Sequence, residues 1–200
     1  MSKQIPILLI FFRLFLSPII LVTAYVLRDN SRIYILIIMY LGLLSDILDG
    51  AFARKMKIST SKLRRLDSQV DMIFWVSIGV CTWILHPALI RDHLVSITLI
   101  FIMEALCYII SIAKFGKETC THSFLSKLWG ISLLIAFTSM IGFNHAGLPF
   151  YLTIILGLIS QVDVILITLI LPKWNHDIPS TYHAILVRRG IDFKRNELLN

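Results

Sequence analysis

Residues 46–71 read DILDGAFARKMKISTSKLRRLDSQVD, between the apolar runs RIYILIIMYLGLLS at 32–45 and MIFWVSIGVCTWIL at 72–85. A short basic connection with aspartates on both shoulders and apolar chain on either side reads as two membrane-spanning helices joined at the bilayer edge. Asp46 and Asp49 are spaced i,i+3 at the end of one run, and Asp67 and Asp71 are spaced i,i+4 at the start of the next. Each pair therefore shares one face of its own helix. Consecutive spans joined by a short connection are neighbours, so the two acidic faces are expected to converge.

The rest of the chain supports lipid as its solvent. Of 200 residues, 57% are hydrophobic and only 16% charged, with a mean hydropathy of +0.81. Soluble domains carry about a quarter charged residues. Runs long enough to cross a bilayer fall at 5–27, 32–51, 68–88, 94–113, 128–143 and 148–171. Backbone groups in lipid must bond within their own segment, so these six are expected to be helices. The reading is an all-α integral membrane protein, a single domain over 1–200 with a tail at 173–200. The first run reads as a span and not as a cleaved leader, because it holds Arg13 and lacks a small-x-small cleavage site.

The net charge of +7 does not point to nucleic acid, because the basic residues lie in the connections between apolar runs. Fifteen of the 19 Lys and Arg fall on one side of such a bundle; Arg28, Arg32 and Arg91 fall on the other, and Arg13 lies within the first span. The positive-inside rule then places both termini and the 46–71 connection in the cytoplasm, across the inner membrane. Cys81, Cys107 and Cys120 form no CxxC pair and read as small apolar fillers.

Four carboxylates crowded at a membrane edge repel one another unless cations or protons lie between them. Carboxylate oxygens suit hard ions, so Asp46, Asp49, Asp67 and Asp71 are expected to hold Mg²⁺ or Mn²⁺. The bland alternative pairs Asp46 and Asp49 with the basic residues of the connection. Gly50 and Ala53 remove side-chain bulk, and Arg54 offers a planar fork of donors for phosphate. Acid, small residue and arginine together read as a site for a metal-bridged phosphate.

These residues resemble the signature of the CDP-alcohol phosphatidyltransferase family, D-x2-D-G-x2-A-R-x8-G-x3-D-x3-D, with the spacing kept from Asp46 to Asp71. One position departs: Leu63 stands where the pattern has its second glycine. Thr60 agrees with a threonine often found there. In the first run, Pro6, Arg13 and Pro18 resemble the pattern P-N-x2-T-x2-R-x4-P, with Ile7 and Ile10 in place of its Asn and Thr.

The resemblance implies transfer of a phosphatidyl group from CDP-diacylglycerol to an alcohol or phosphorylated alcohol, with release of CMP, in phospholipid synthesis. It makes Asp71 the general base as well as a metal ligand, and places Gly50, Ala53, Arg54 and Thr60 against the cytidine diphosphate. It also implies a homodimer in the bilayer. Glycerol 3-phosphate is the first acceptor to consider; inositol phosphate, serine or another alcohol stays open. A phosphorylated acceptor needs a nearby cation, for which Lys127, Arg64 and Arg65 are the candidates, with Ser123 and His122 as further polar groups. Arg13, Glu104 and Asp163 fall inside spans, where charges pair or line a cavity. The segment after Pro179 reads as a short basic amphipathic helix on the membrane surface. The competing readings are an intramembrane prenyltransferase with paired aspartates, against which the compact Asp-Gly-x2-Ala-Arg element speaks, and a non-catalytic relative or cation-binding membrane protein.

Overall fold

The computed structural model describes residues 4–55, 60–119, 121 and 123–191, with the backbone alone at 53–55 and 61. Among these residues all regular structure is helical. The elements are α1 (Ile5–Leu27), a 3₁₀ turn (Arg28–Ser31), α2 (Arg32–Lys55), α3 (Ser61–Leu85), α4 (Pro87–Asp92), α5 (Leu94–Phe115), α6 (Phe124–Phe137), α7 (Gly147–Ile170) and α8 (Thr181–Arg188). A π-helical turn at Thr138–Gly142 extends α6.

Five helical stretches are long and apolar enough to cross a membrane: Ile5–Phe52, Lys62–Leu85, Leu94–Phe115, Phe124–Gly142 and Gly147–Ile170. The chain is built as a multi-pass membrane protein. The first stretch holds α1 and α2, and the chain turns back on itself within it. Leu16, Ile20 and Ala24 of α1 share one core with Ile35 and Met39 of α2, and Arg28 between them takes a positive φ of 48°.

Two helices start earlier than their apolar runs. α3 begins at Ser61, not at 68, because Thr60 caps it: the Thr60 hydroxyl accepts from the backbone N–H of Leu63 at 3.2 Å. The cap satisfies one of the orphan donors of the first turn and lets polar chain continue the helix ahead of the span. α6 likewise begins at Phe124, not at 128.

Large apolar side chains point outward along the long helices, among them Phe15, Val22, Ile33, Val95 and Leu148. Buried positions include Arg13, Ser17, Ser45, Asp49, Asp67, Ser77 and Gln161. In water that distribution would be unfavourable; in lipid it is the expected one, since helices there associate through packing and polar contacts. The hydroxyls of Ser17, Ser77, Thr82 and Thr168 donate to the carbonyl four residues back in their own helix, so they cost little at membrane depth.

The chain forms two compact units, residues 1–92 with 134–147, and residues 93–133 with 148–200. The first is packed around Leu16, Ile20, Ala24, Ile35, Met39, Phe74, Ile78, Cys81 and Ile141. Gly42 of α2 leaves room for the Phe74 ring of α3 here: a Cβ at that position would lie 2.1 Å from the ring. The second unit is centred on Ile167, Leu171, Ile178 and Ala184, which seat α8 as the expected helix beyond Pro179. Asp163 ties down the start of α8, accepting from the backbone N–H and the hydroxyl of Thr181 at 3.1 and 2.6 Å. Lys114 closes the end of α7, donating to the carbonyls of Thr168, Leu169 and Leu171 at 3.1, 2.6 and 2.9 Å. Glu104 accepts from the Gln161 side chain at 3.1 Å, so both intramembrane acids of this unit are held by hydrogen bonds. Cys81 and Cys107 are buried and free, in keeping with their reading as fillers; Cys120 lies outside the described residues.

The Gly42–Phe74 contact lies one turn from the aspartates. Gly42→Ala drives a methyl group against the ring, which must shift, at a cost of about 1–3 kcal/mol. The expected result is a lowered melting temperature of the purified protein in detergent, partly recovered in Gly42→Ala/Phe74→Leu.

Candidate functional site

α2 and α3 carry the two acidic pairs, and both pairs turn toward the same point. Asp46 and Asp49 lie one turn apart near the end of α2, and Asp67 and Asp71 lie on successive turns of α3. One oxygen from each of Asp46, Asp49 and Asp67 falls within 4.8 Å of the others. Oxygens on opposite sides of an octahedral Mg²⁺ are about 4.2 Å apart, so this is close to the span of one ion, and the all-carboxylate donor set suits a hard dication. Depth separates the four: the side chains of Asp49 and Asp67 are 4% and 7% exposed, and those of Asp46 and Asp71 are 37% and 28% exposed.

The centre of this cluster is filled by Arg13 from α1, 1% exposed. Its Nη1 faces Asp46 Oδ1 at 3.1 Å and Asp67 Oδ1 at 3.3 Å and pairs with Asp71, while Nη2 pairs with Asp49. Its Nε donates to the Ser45 hydroxyl at 3.4 Å, and Ser45 in turn donates to the Gly42 carbonyl at 2.7 Å. Arg13 was expected to pair or to line a cavity, and it pairs with all four acids. An ion-pair partner of Asp46 and Asp49 thus comes from α1, 33 to 36 residues away.

Two clefts flank the carboxylates. One, of about 200 Å³, is lined by Pro6, Ile10, Asp49, Gly50, Leu63, Arg64 and Asp67. The other, of about 170 Å³, is lined by Arg13, Gly42, Leu43, Asp46, Asp71, Phe74 and Trp75. Ile10 and Leu63, two of the positions where the sequence departs from the family pattern, form part of the apolar wall of the first cleft. Gly50 is buried beside the acids, as its lack of bulk suggested.

The remaining sequence candidates are distributed as follows. Arg64 is buried and lines the first cleft; Arg65, next to it, is half-buried. Thr60 stands exposed at the start of α3, where its hydroxyl oxygen serves the helix cap. The backbone of Ala53 and Arg54 continues α2, and their side chains lie outside the described residues, as does His122. Lys127 sits in the first turns of α6, in the second unit, where its N–H donates to the Ser123 carbonyl at 3.2 Å and Ser123, Ser126 and Ser160 form a chain of hydroxyls. What the sequence left undecided is Arg13 as the common partner of the acids. The signal available there was a lone arginine inside an apolar run, which has to find negative charge somewhere.

A helical membrane protein with this carboxylate cluster between two consecutive long helices has a site that could hold a metal ion. The family profile of CDP-alcohol phosphatidyltransferase matches residues 3–166, and the chain belongs to that family. Over 71 residues it is 41% identical to a CDP-diacylglycerol--glycerol-3-phosphate 3-phosphatidyltransferase of Aquifex aeolicus (strain VF5), a stretch that covers 36% of this chain and 38% of the relative. The match thus spans little more than a third of the relative's own length. No solved structure matches the chain at comparable stringency.

The cap at Thr60 makes its own prediction. Thr60→Ala removes the acceptor for the Leu63 N–H and lowers stability by about 1 kcal/mol, whereas Thr60→Ser retains it. Thermal unfolding of the two variants side by side separates them.

Proposed function

We propose that the protein transfers the phosphatidyl group of CDP-diacylglycerol to an alcohol, releasing CMP, at the cytoplasmic face of the inner membrane. The observation that carries this reading is the convergence of Asp46, Asp49, Asp67 and Asp71, at the spacing of the family signature, on one cationic centre. The proposed domain is the whole chain, since the family profile runs through both compact units. Six crossings are proposed, with the 48-residue stretch Ile5–Phe52 crossing twice. At 1.5 Å per residue that stretch is about 72 Å of helix, more than twice the roughly 30 Å of a hydrocarbon core. Both termini lie in the cytoplasm in this reading, by the distribution of Lys and Arg.

Asp46, Asp49, Asp67 and Asp71 would hold Mg²⁺ or Mn²⁺, which when bound neutralises the pyrophosphate and the charge that develops on departing CMP. The chain's own residues supply the rest. Gly50 lets the pyrophosphate approach the α2 backbone, and Arg54 offers it paired donors, with Ala53 and Thr60 against the nucleotide. Asp71 accepts the proton of the acceptor hydroxyl as its oxygen forms a bond to the phosphatidyl phosphorus. The bond from that phosphorus to the bridging oxygen breaks, and the electron pair leaves with CMP. The partial exposure of Asp71, against the burial of Asp49 and Asp67, is compatible with this role, and the family resemblance chooses it over the comparably exposed Asp46.

Glycerol 3-phosphate is the proposed acceptor, supported by the name of the Aquifex relative; Arg64 and Arg65 of the first unit, or Lys127 of the second, are the proposed contacts for its phosphate. Inositol phosphate, serine or another alcohol is the alternative.

The test incubates purified protein with CDP-diacylglycerol, Mg²⁺ or Mn²⁺ and a panel of alcohols, following CMP and the lipid product. Product with glycerol 3-phosphate alone is expected, and absence of product with every acceptor would sink the reading. Asp71→Asn is expected to lower turnover by about 100-fold or more; CMP release at the wild-type rate would remove Asp71 as the base.

A further inference from the structure

The guanidinium of Arg13 stands where a metal ion would stand. Asp46, Asp49 and Asp67 enclose a space 4.8 Å across, and Nη1 faces two of these three acids and Asp71 besides. An Nη group has two hydrogens, so three carboxylates around Nη1 exceed what it can serve by hydrogen bonds. A spherical dication has no such shortage, and its higher charge better matches four carboxylates than a single guanidinium does. Coulomb attraction grows with charge and falls with distance, so both cations are drawn to the same spot.

We propose that Arg13 is the resident counter-cation of this site and competes with divalent metal for it. Metal enters only as Nη1 withdraws. This rests on the reading of the four aspartates as metal ligands. In the absence of metal, Arg13 ties α1 to both acidic helices and holds together carboxylates that would otherwise repel. It lines one cleft with Asp46 and Asp71, while its partners Asp49 and Asp67 line the other. Arg13, once displaced, is a planar fork free to meet the phosphates that arrive with the metal. The same side chain thus lowers the affinity of the empty protein for metal and favours metal that comes with substrate.

The test measures Mn²⁺ binding to purified protein by the electron paramagnetic resonance signal of free Mn²⁺, with no substrate present. Wild type is compared with Arg13→Met, and Asp46→Asn with Asp46→Asn/Arg13→Met. The second pair has an unchanged ligand set and a better charge balance, so it carries the comparison where Arg13→Met alone fails to fold. Loss of the arginine is expected to tighten Mn²⁺ binding about tenfold or more in each pair. It is also expected to lower the metal-free melting temperature and enlarge its rise with Mn²⁺. Equal or weaker Mn²⁺ binding in folded Arg13→Met proteins overturns the competition while leaving the metal site standing. No Mn²⁺ uptake by any of the four proteins overturns the metal reading, and the competition with it.

Discussion

Four carboxylates around one buried guanidinium set the terms for the first unit. A buried arginine without acids, or buried acids without a cation, costs about 3–5 kcal/mol in an otherwise intact protein. Here each requirement answers the other, and the answer fixes geometry. Arg13 must lie within reach of α2 and α3 together, which places α1 against both of them. The core on the side of the guanidinium away from the carboxylates, Leu16, Ile20 and Ala24 with Ile35, Met39, Phe74 and Ile78, then packs in the register that the ion cluster allows.

Close approach is the second condition. Carboxylates on different helices share a cation only when the helices come near one another, and apolar side chains alone do not pull helices together in lipid. α1 packs against both acidic helices, and Gly42 gives the Phe74 ring the space of a missing side chain. Ser45 adds a polar link between that backbone and Arg13. The acidic end of α2 is therefore backed by a residue with no side chain, one turn earlier in the helix.

The helices and the acidic faces were legible in the sequence because each follows from a short-range rule. Span length comes from bilayer thickness, and the faces come from the 3.6-residue period that aligns Asp46 with Asp49 and Asp67 with Asp71. What was not legible depends on contacts across long separations. Arg13 meets Asp71 from 58 positions away, and nothing local to either residue names the other. The start of α3 escaped for a different reason: an apolar run marks where a helix enters lipid, while a cap such as Thr60 marks where the helix begins, and here the two differ by seven residues. Leu63 and Ile10 were visible as departures from a pattern, but only the folded chain brings them to the same cleft wall.

Lys114 is a further case of one residue answering to two rules. In the sequence it is one of the charges that mark the basic side of the bundle. In the folded chain its ammonium group meets three carbonyls at the end of α7, as many as it has protons to give. Those two uses belong to different moments. In the expected topology its charge is read as the spans enter the bilayer, while the lysine is still hydrated. Once α7 is in place the same charge is drawn to the negative end of that helix and its hydrogen-bonding capacity is spent. The order of synthesis lets a single lysine serve first as an address and later as a seal.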